Sequence, residues 1–348
     1  MIFAPQYQDK LLLMNKLFAL ILLAIILLLN QGNAKADGVT ISGRQILVNG
    51  SPYTIKGICY NPVPRDSDKV SYSNLTEDLA LMKEAGINTI RVYSPISDKS
   101  VLDEINAAGL KVIIGFGYNQ GGKYDILSGS FINYVNTYKN HGAILFWELG
   151  NEYNYHAEWF GGDIQIWYRA LNDAVELIHK NDPSHPVSTA CGGLPDANLL
   201  LVCPKVDMWG MNVYSWDNPE GIFSEWSVRS SKPMYLSETG ADSYMSIKMN
   251  DYEQGENENA QADATGKILE SVFKHSDICS GVTLFEFADE WWKAGDSKTH
   301  DLGGCAPNSC GVPYDGAANE EYWGILTTDR NKKMAFTVVK EKYSGLTK

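Results

Sequence analysis

The sequence predicts a single (β/α)8 barrel preceded by a short β-hairpin, and three observations carry that expectation. Eight apolar, strand-like runs alternate with stretches of helical periodicity across about 300 residues, the size of one such barrel. The runs are rich in Val, Ile and Leu at successive positions, as in a parallel sheet covered on both faces. No Gly-x-Gly-x-x-Gly follows the first run, which disfavours the open doubly wound sheet as the alternative.

Residues 39–48 alternate around Gly43, and Asn49-Gly50 adds a two-residue turn signal, so a small hairpin leads into the barrel. Residues 53–60 form the first strand. Asn74, with Glu77 three residues on, opens a helix as a capping box would; Leu75, Leu79 and Met82 mark its apolar face and Gly86 its end. A second strand at 87–93 precedes a helix with Val101, Ile105 and Ala108 on one face. The third strand is 110–116, a helix runs around 131–138, and the fourth strand is 143–152. A helix at 165–179 and strands at 187–191, 206–214 and 234–238 follow, then a helix at 261–274, the eighth strand at 281–287 and a closing helix at 334–342. Residues 293–321, rich in Gly, Asp, Asn and Pro, read as a long loop after the last strand, and loops after strands carry the site of a barrel.

Residues 1–36 have the three-part organisation of a secretory signal peptide: Lys16, the apolar run 17–29, then Ala34-Lys35-Ala36, with Met14 as an alternative start. The competing reading, a membrane anchor, needs roughly 20 apolar residues, and this run has thirteen. The expectation is therefore a cleaved leader, a secreted or periplasmic protein with no membrane segment after cleavage, and one domain spanning 37–348. Removing the leader takes away one acidic residue (Asp9) and three basic ones (Lys10, Lys16, Lys35), moving the formal charge from −13 to −15. So acidic a protein does not suit nucleic acid or an anionic surface as partner. Secretion would place the six cysteines in an oxidising compartment, with Cys305 and Cys310 the pair a turn brings together most readily. The histidines and cysteines show no metal-ligand spacing, so no metal and no cofactor are expected.

Glu152 and Glu238 carry the chemistry. Trp147-Glu148-Leu149-Gly150-Asn151-Glu152 and Tyr235-Leu236-Ser237-Glu238-Thr239-Gly240 are both apolar runs that end in a carboxylate and then break into turn residues. The two glutamates are 86 residues apart, room for three strand-helix repeats of roughly 30 residues. On the fourth and seventh strands both face the same mouth. A retaining glycosidase needs such a pair, one ionised to attack the anomeric carbon and one with raised pKa to protonate the leaving oxygen, about 5–5.5 Å apart.

These motifs resemble the signature of the clan A glycoside hydrolases, retaining β-glycosidases on (β/α)8 barrels. The resemblance implies that Glu152 is the general acid/base, Asn151 binds the sugar 2-hydroxyl and Glu238 is the nucleophile. It further implies that Arg91 holds the nucleophile ionised, Tyr214 lies beside it, and Trp291 or Trp292 floors the sugar site. Asn49-Gly50-Ser51-Pro52-Tyr53 and the Glu152 motif are similar to the family two barrel of β-galactosidases, β-mannosidases and β-glucuronidases. Arg91-Val92-Tyr93 and the Glu238 motif are similar to the β-1,3-glucanases and glucanosyltransferases of families seventeen and seventy-two. Because no β-sandwich domains precede the barrel as they do in family two, the expected substrate is a β-linked glucan-type polysaccharide or oligosaccharide, acted on by a monomer.

Other readings remain beside these. Glu148 shares the strand parity of Glu152 and is either an acid or a buried ion-pair partner; Glu286 and Glu290 are subsite ligands or paired carboxylates. Arg91 is a nucleophile partner or a barrel-interior ion pair. Tyr60, Tyr93, Tyr118, Trp159 and Trp216 are candidate subsite aromatics or core. At the level of function, the alternatives are a mannanase or cellulase, a family-two-like exo-β-glycosidase, and a non-catalytic carbohydrate-binding barrel.

Overall fold

The structure, a computed structural model, describes residues 38–116, 122–249, 251–307 and 314–345. The expected leader and Tyr118 lie outside the described residues, as does Cys310. The chain opens with a three-stranded antiparallel meander, β1 (Val39–Ser42), β2 (Gln45–Val48) and β3 (Ser51–Tyr53), joined at Gly43 and Asn49-Gly50. The expected hairpin therefore gains a third strand, and the barrel strand begins after it.

The barrel strands are β4 (Ile55–Cys59), β5 (Thr89–Val92), β6 (Lys111–Phe116), β7 (Ile144–Asn151), β8 (Val187–Gly192), β9 (Met208–Asn212), β10 (Met234–Thr239) and β13 (Cys279–Leu284). Each pairs in parallel with its neighbours, and β13 returns to β4 to close the ring. The helices between them are α1 (Leu75–Glu84), α2 (Lys99–Ala107), α3 (Ile132–Tyr138), α4 (Ile164–Asn181), α5 (Ala197–Val202), α6 (Glu220–Arg229) and α7 (Glu258–Lys274), with α8 (Met334–Gly345) last. A small two-stranded ribbon, β11 (Tyr244–Met245) and β12 (Gly255–Glu256), sits between β10 and α7.

Alternate positions of each strand divide the core. Outward side chains such as Ile90, Ile114, Trp147 and Val282 pack under the helices. Near the starts of the strands, Ile55, Ile113, Phe146, Met208 and Tyr235 pack against Val39 and Ile46 of the meander. Ser280 Oγ also donates to the Arg44 carbonyl at 2.9 Å. The meander thus plugs the N-terminal mouth, and the open mouth is the one where the strands end.

The sequence does not announce α5 and α6. At six residues α5 is too short for a helical period, though Asp196 caps it through a 2.7 Å bond from the Leu199 amide. In α6 only Phe223 and Trp226 are buried. At α1 the expected start is right and the mechanism is not: Asn74 occupies the N-cap position but its side chain makes no capping bond. Cys59, Cys191, Cys203 and Cys279 are buried free thiols, and Cys305 is disulfide-bonded.

Candidate active site

Both glutamates reach the mouth by leaving the regular ladder. The β7–β8 register shifts between Glu148 and Asn151, and the β9–β10 register shifts between Leu236 and Glu238. Such a bulge re-aims the side chains that follow it. Parity alone therefore does not bring Glu152 inward: the shift turns Asn151 and Glu152 both to the mouth, Glu152 in a left-handed conformation at φ 57°. Gly150 is required by this bend, since its φ is +79° and a Cβ there would lie 2.8 Å from the Trp167 ring.

Glu238 is 6% exposed, and three side chains donate to it. Arg91 Nη1 and Tyr93 OH each lie 2.8 Å from Oε1, and Tyr214 OH lies 2.7 Å from Oε2. Arg91 is wholly buried and spans two carboxylates. Its Nε and Nη2 donate to Glu148 Oε1 at 2.8 and 2.6 Å, while Tyr235 OH donates to the other Glu148 oxygen. Glu148 is thus the buried partner of Arg91, two turns of the pleat below the mouth. Replacing Arg91 with Met would strand two buried carboxylates on one wall. We expect Arg91→Met to lose about 3–5 kcal/mol of stability in urea unfolding; a variant as stable as the parent would show that the pair adds nothing to the fold.

Glu152 has the opposite surroundings. Its pKa is pushed up to about 7, chiefly by burial and then by the charge of Glu238; the bond from Asn212 and the charge of Arg91 act the other way. Asn212 Nδ2 donates to Glu152 Oε1 at 3.0 Å and to Asn151 Oδ1 at 3.1 Å, and Ser237 Oγ fixes the Asn212 carbonyl at 2.7 Å. Asn151 Oδ1 also accepts from Arg91 Nη2 at 2.8 Å. With its oxygen held by two donors, Asn151 turns its Nδ2 toward the cavity. A hydrogen-bonded chain therefore runs Glu152, Asn212, Asn151, Arg91, Glu238.

A cavity of about 700 Å³ is bordered by Tyr93, Asn151 and Glu238 of this network and by Tyr153, Trp159, Phe285 and Trp292. One wall is charged. Glu286, Glu290 and Glu320 surround Lys293, whose Nζ lies 2.8 Å from both Glu286 oxygens, 3.5 Å from Glu290 and 3.9 Å from Glu320. Burial opposes a charge on Lys293, but the three carboxylates outweigh it and its pKa is raised. Burial and then Glu290 push Glu286 well above the usual carboxylate range, Lys293 opposing. Among the described residues no group of three His, Cys, Asp or Glu side chains is arranged to hold a metal ion.

The structure brings together Glu152, Glu238, Asn151, Arg91, Tyr93 and Tyr214, and it separates the two tryptophans. Trp292 borders the cavity and donates to Glu290 Oε2 at 2.6 Å. Trp291 is not there: it lies between the Arg65 guanidinium, 3.9 Å from the ring centre, and the stacked His300 ring. Tyr60 is a correction too. Cys59 points into the barrel, with its Sγ 3.9 Å from Arg91 Nη1, so the next side chain points out. There the Tyr60 hydroxyl donates to Asp78 of α1 at 2.7 Å, remote from the glutamates. Sequence reasoning passed over Asn212, Lys293 and Glu320. Asn212 stands two residues before Tyr214, a signal that was available; Glu320 comes from the far end of a long loop and had none.

A closed barrel with two glutamates in contrasting environments at its C-terminal mouth belongs to the class of barrels that resembles the clan A enzymes. The chain is a member of the glycosyl hydrolases family 2, TIM barrel domain, whose family model matches residues 39–348. This is the first of the three families that the motifs resembled. The chain is 26% identical over 196 residues to a β-galactosidase of Pseudoalteromonas haloplanktis, covering 52% of this chain and 18% of that one. It is 24% identical over 332 residues to a β-glucuronidase of Rattus norvegicus, covering 88% and 46%. Among solved structures, a family 2 β-galacturonidase from Eisenbergiella tayi bound to galacturonate superposes with a TM-score of 0.66 at 23% identity, covering 89% of this chain and 54% of that one. The chain thus spans less than half the length of these two curated relatives.

Proposed function

We propose that the protein is a retaining β-glycosidase in which Glu238 is the nucleophile and Glu152 the acid/base. The observation that carries this is the contrast between the two carboxyl groups. Glu238 accepts from a guanidinium and two phenols, an arrangement suited to an attacking anion, whereas Glu152 has a pKa near 7 and can hold a proton at neutral pH. In the first step a Glu238 oxygen bonds to the anomeric carbon as the glycosidic C–O bond breaks, and the leaving oxygen takes the Glu152 proton. In the second, Glu152 removes a proton from water or a sugar hydroxyl, which attacks the same carbon and releases Glu238. In this reading Asn151, whose Oδ1 is already held by Arg91 and Asn212, donates its Nδ2 to the 2-hydroxyl. Proton NMR of a reaction on an aryl β-glycoside tests the reading: the β-anomer must appear first, and a first-formed α-anomer rules out double displacement.

The reading extends to a neutral, glucan-type β-linked sugar. Uronidases are among the relatives, but Lys293 already gives its two 2.8 Å contacts to Glu286 and lies near Glu290 and Glu320, so it is not free to hold a uronate carboxylate. Aryl β-glucoside turnover should exceed aryl β-glucuronide turnover by about tenfold or more, ~1.4 kcal/mol for a carboxylate brought in without a partner. A preference for the glucuronide would refute this extension while leaving the glutamate roles intact.

A further inference from the structure

Tyr155 follows Glu152 by three residues and is 63% exposed, yet it is held in place. The left-handed Glu152 starts a single 3-10 turn, Tyr153–Tyr155, closed by a 2.9 Å bond from the Tyr155 amide to the Glu152 carbonyl. Asn154 then fastens that turn to the end of β8. Its Nδ2 donates to the Gly192 carbonyl at 3.1 Å, and its Oδ1 accepts from the Gly192 amide at 2.9 Å. The Tyr155 ring rests on Gly192 so closely that a Cβ there would lie 1.9 Å from Cε2. One face is thus seated on backbone. Much of the ring remains open to solvent, on the turn that Glu152 starts. Burial and the Glu152 charge both push the Tyr155 phenol up, in keeping with that proximity.

An exposed aromatic on a loose loop needs no explanation, whereas one clamped by a paired amide and a glycine seat has been given a fixed direction. A flat ring with a free face packs on the C–H face of a pyranose. We infer that Tyr155 is the platform for the sugar on the leaving-group side, so that the substrate continues past the cleaved bond and a sugar can dock there as acceptor. This rests on Glu152 being the acid/base, because only then does its neighbourhood face the leaving group.

The test compares leaving groups. A β-glycosyl fluoride loses a single atom and cannot reach Tyr155; a β-linked disaccharide loses a sugar that would stack on it. We expect Tyr155→Ala to lower the ratio of kcat/KM on β-1,3- or β-1,4-linked glucose disaccharides to kcat/KM on β-glucosyl fluoride by about tenfold, the cost of one lost stacking contact. Tyr155→Phe, which keeps the ring, should restore the ratio. Transfer to an added disaccharide acceptor, relative to hydrolysis of the same fluoride, should fall in Tyr155→Ala as well. An unchanged ratio in Tyr155→Ala, or equal losses on both substrates, overturns the platform. A parent protein that releases fluoride from none of the β-glucosyl, β-galactosyl, β-mannosyl and β-glucuronyl fluorides instead overturns the glycosidase reading, and the platform with it.

Discussion

Replacing Glu238 with Ala should lower turnover by at least about 10⁴-fold, ~5.5 kcal/mol of transition-state stabilisation, and added azide should restore part of it by forming an α-glycosyl azide. The argument is geometric. With the side chain gone, the guanidinium of Arg91 and the phenols of Tyr93 and Tyr214 still point at the vacated space. A small anion fits there as the carboxylate did. It attacks the anomeric carbon from the same side as Glu238, and since the product is not displaced again, a single inversion remains. The protein should stay folded, because Arg91 keeps Glu148 and loses only one of two buried partners. Undiminished activity in this variant, or azide rescue giving a β-azide, would remove Glu238 from the role of nucleophile.

How much of this was legible beforehand differs by level. The barrel was legible because its strands are buried on both faces, so each reads as a continuous apolar run, and because the long helices carry their own period. The weak helices α5 and α6 were missed for the same physical reason: too few buried positions to make a pattern. In the site, the glutamates were legible from the turn chemistry that follows them. The two register shifts were not, since a bulge is a feature of pairing between strands and leaves no mark on one strand alone. Tyr60 shows the cost of ignoring parity beyond a strand end. Arg91 shows the reverse, since its neighbour Tyr93 shares its parity and its partner, Glu238. The Lys293 cluster joins Glu286, Glu290 and Glu320 across 34 residues of chain, most of it loop. Local patterns carry no information about such closure.

Replacing Glu152 with Ala should give a loss that depends on the leaving group, which no structural defect reproduces. An alkoxide needs the proton from Glu152, so cleavage of a disaccharide should fall by about 10²–10⁴-fold. Dinitrophenolate leaves without a proton, so a dinitrophenyl β-glycoside should still form the Glu238 ester rapidly; the ester should then accumulate, since no base remains to activate water. Azide needs no base and should release it as the β-azide, the opposite anomer from that of the Glu238 variant. The pH profile gives a second, independent reading. Burial and the neighbouring Glu238 charge raise the Glu152 pKa to about 7, so the acid form is present below that value and is lost as pH rises through it. For the parent protein kcat/KM on a disaccharide should therefore decline above pH ~7, and this alkaline limb should vanish for dinitrophenyl substrates and for Glu152→Ala. Equal losses on both leaving groups, with the alkaline limb intact, would place the acid elsewhere in the cavity, with Glu286 and its raised pKa the next group to replace.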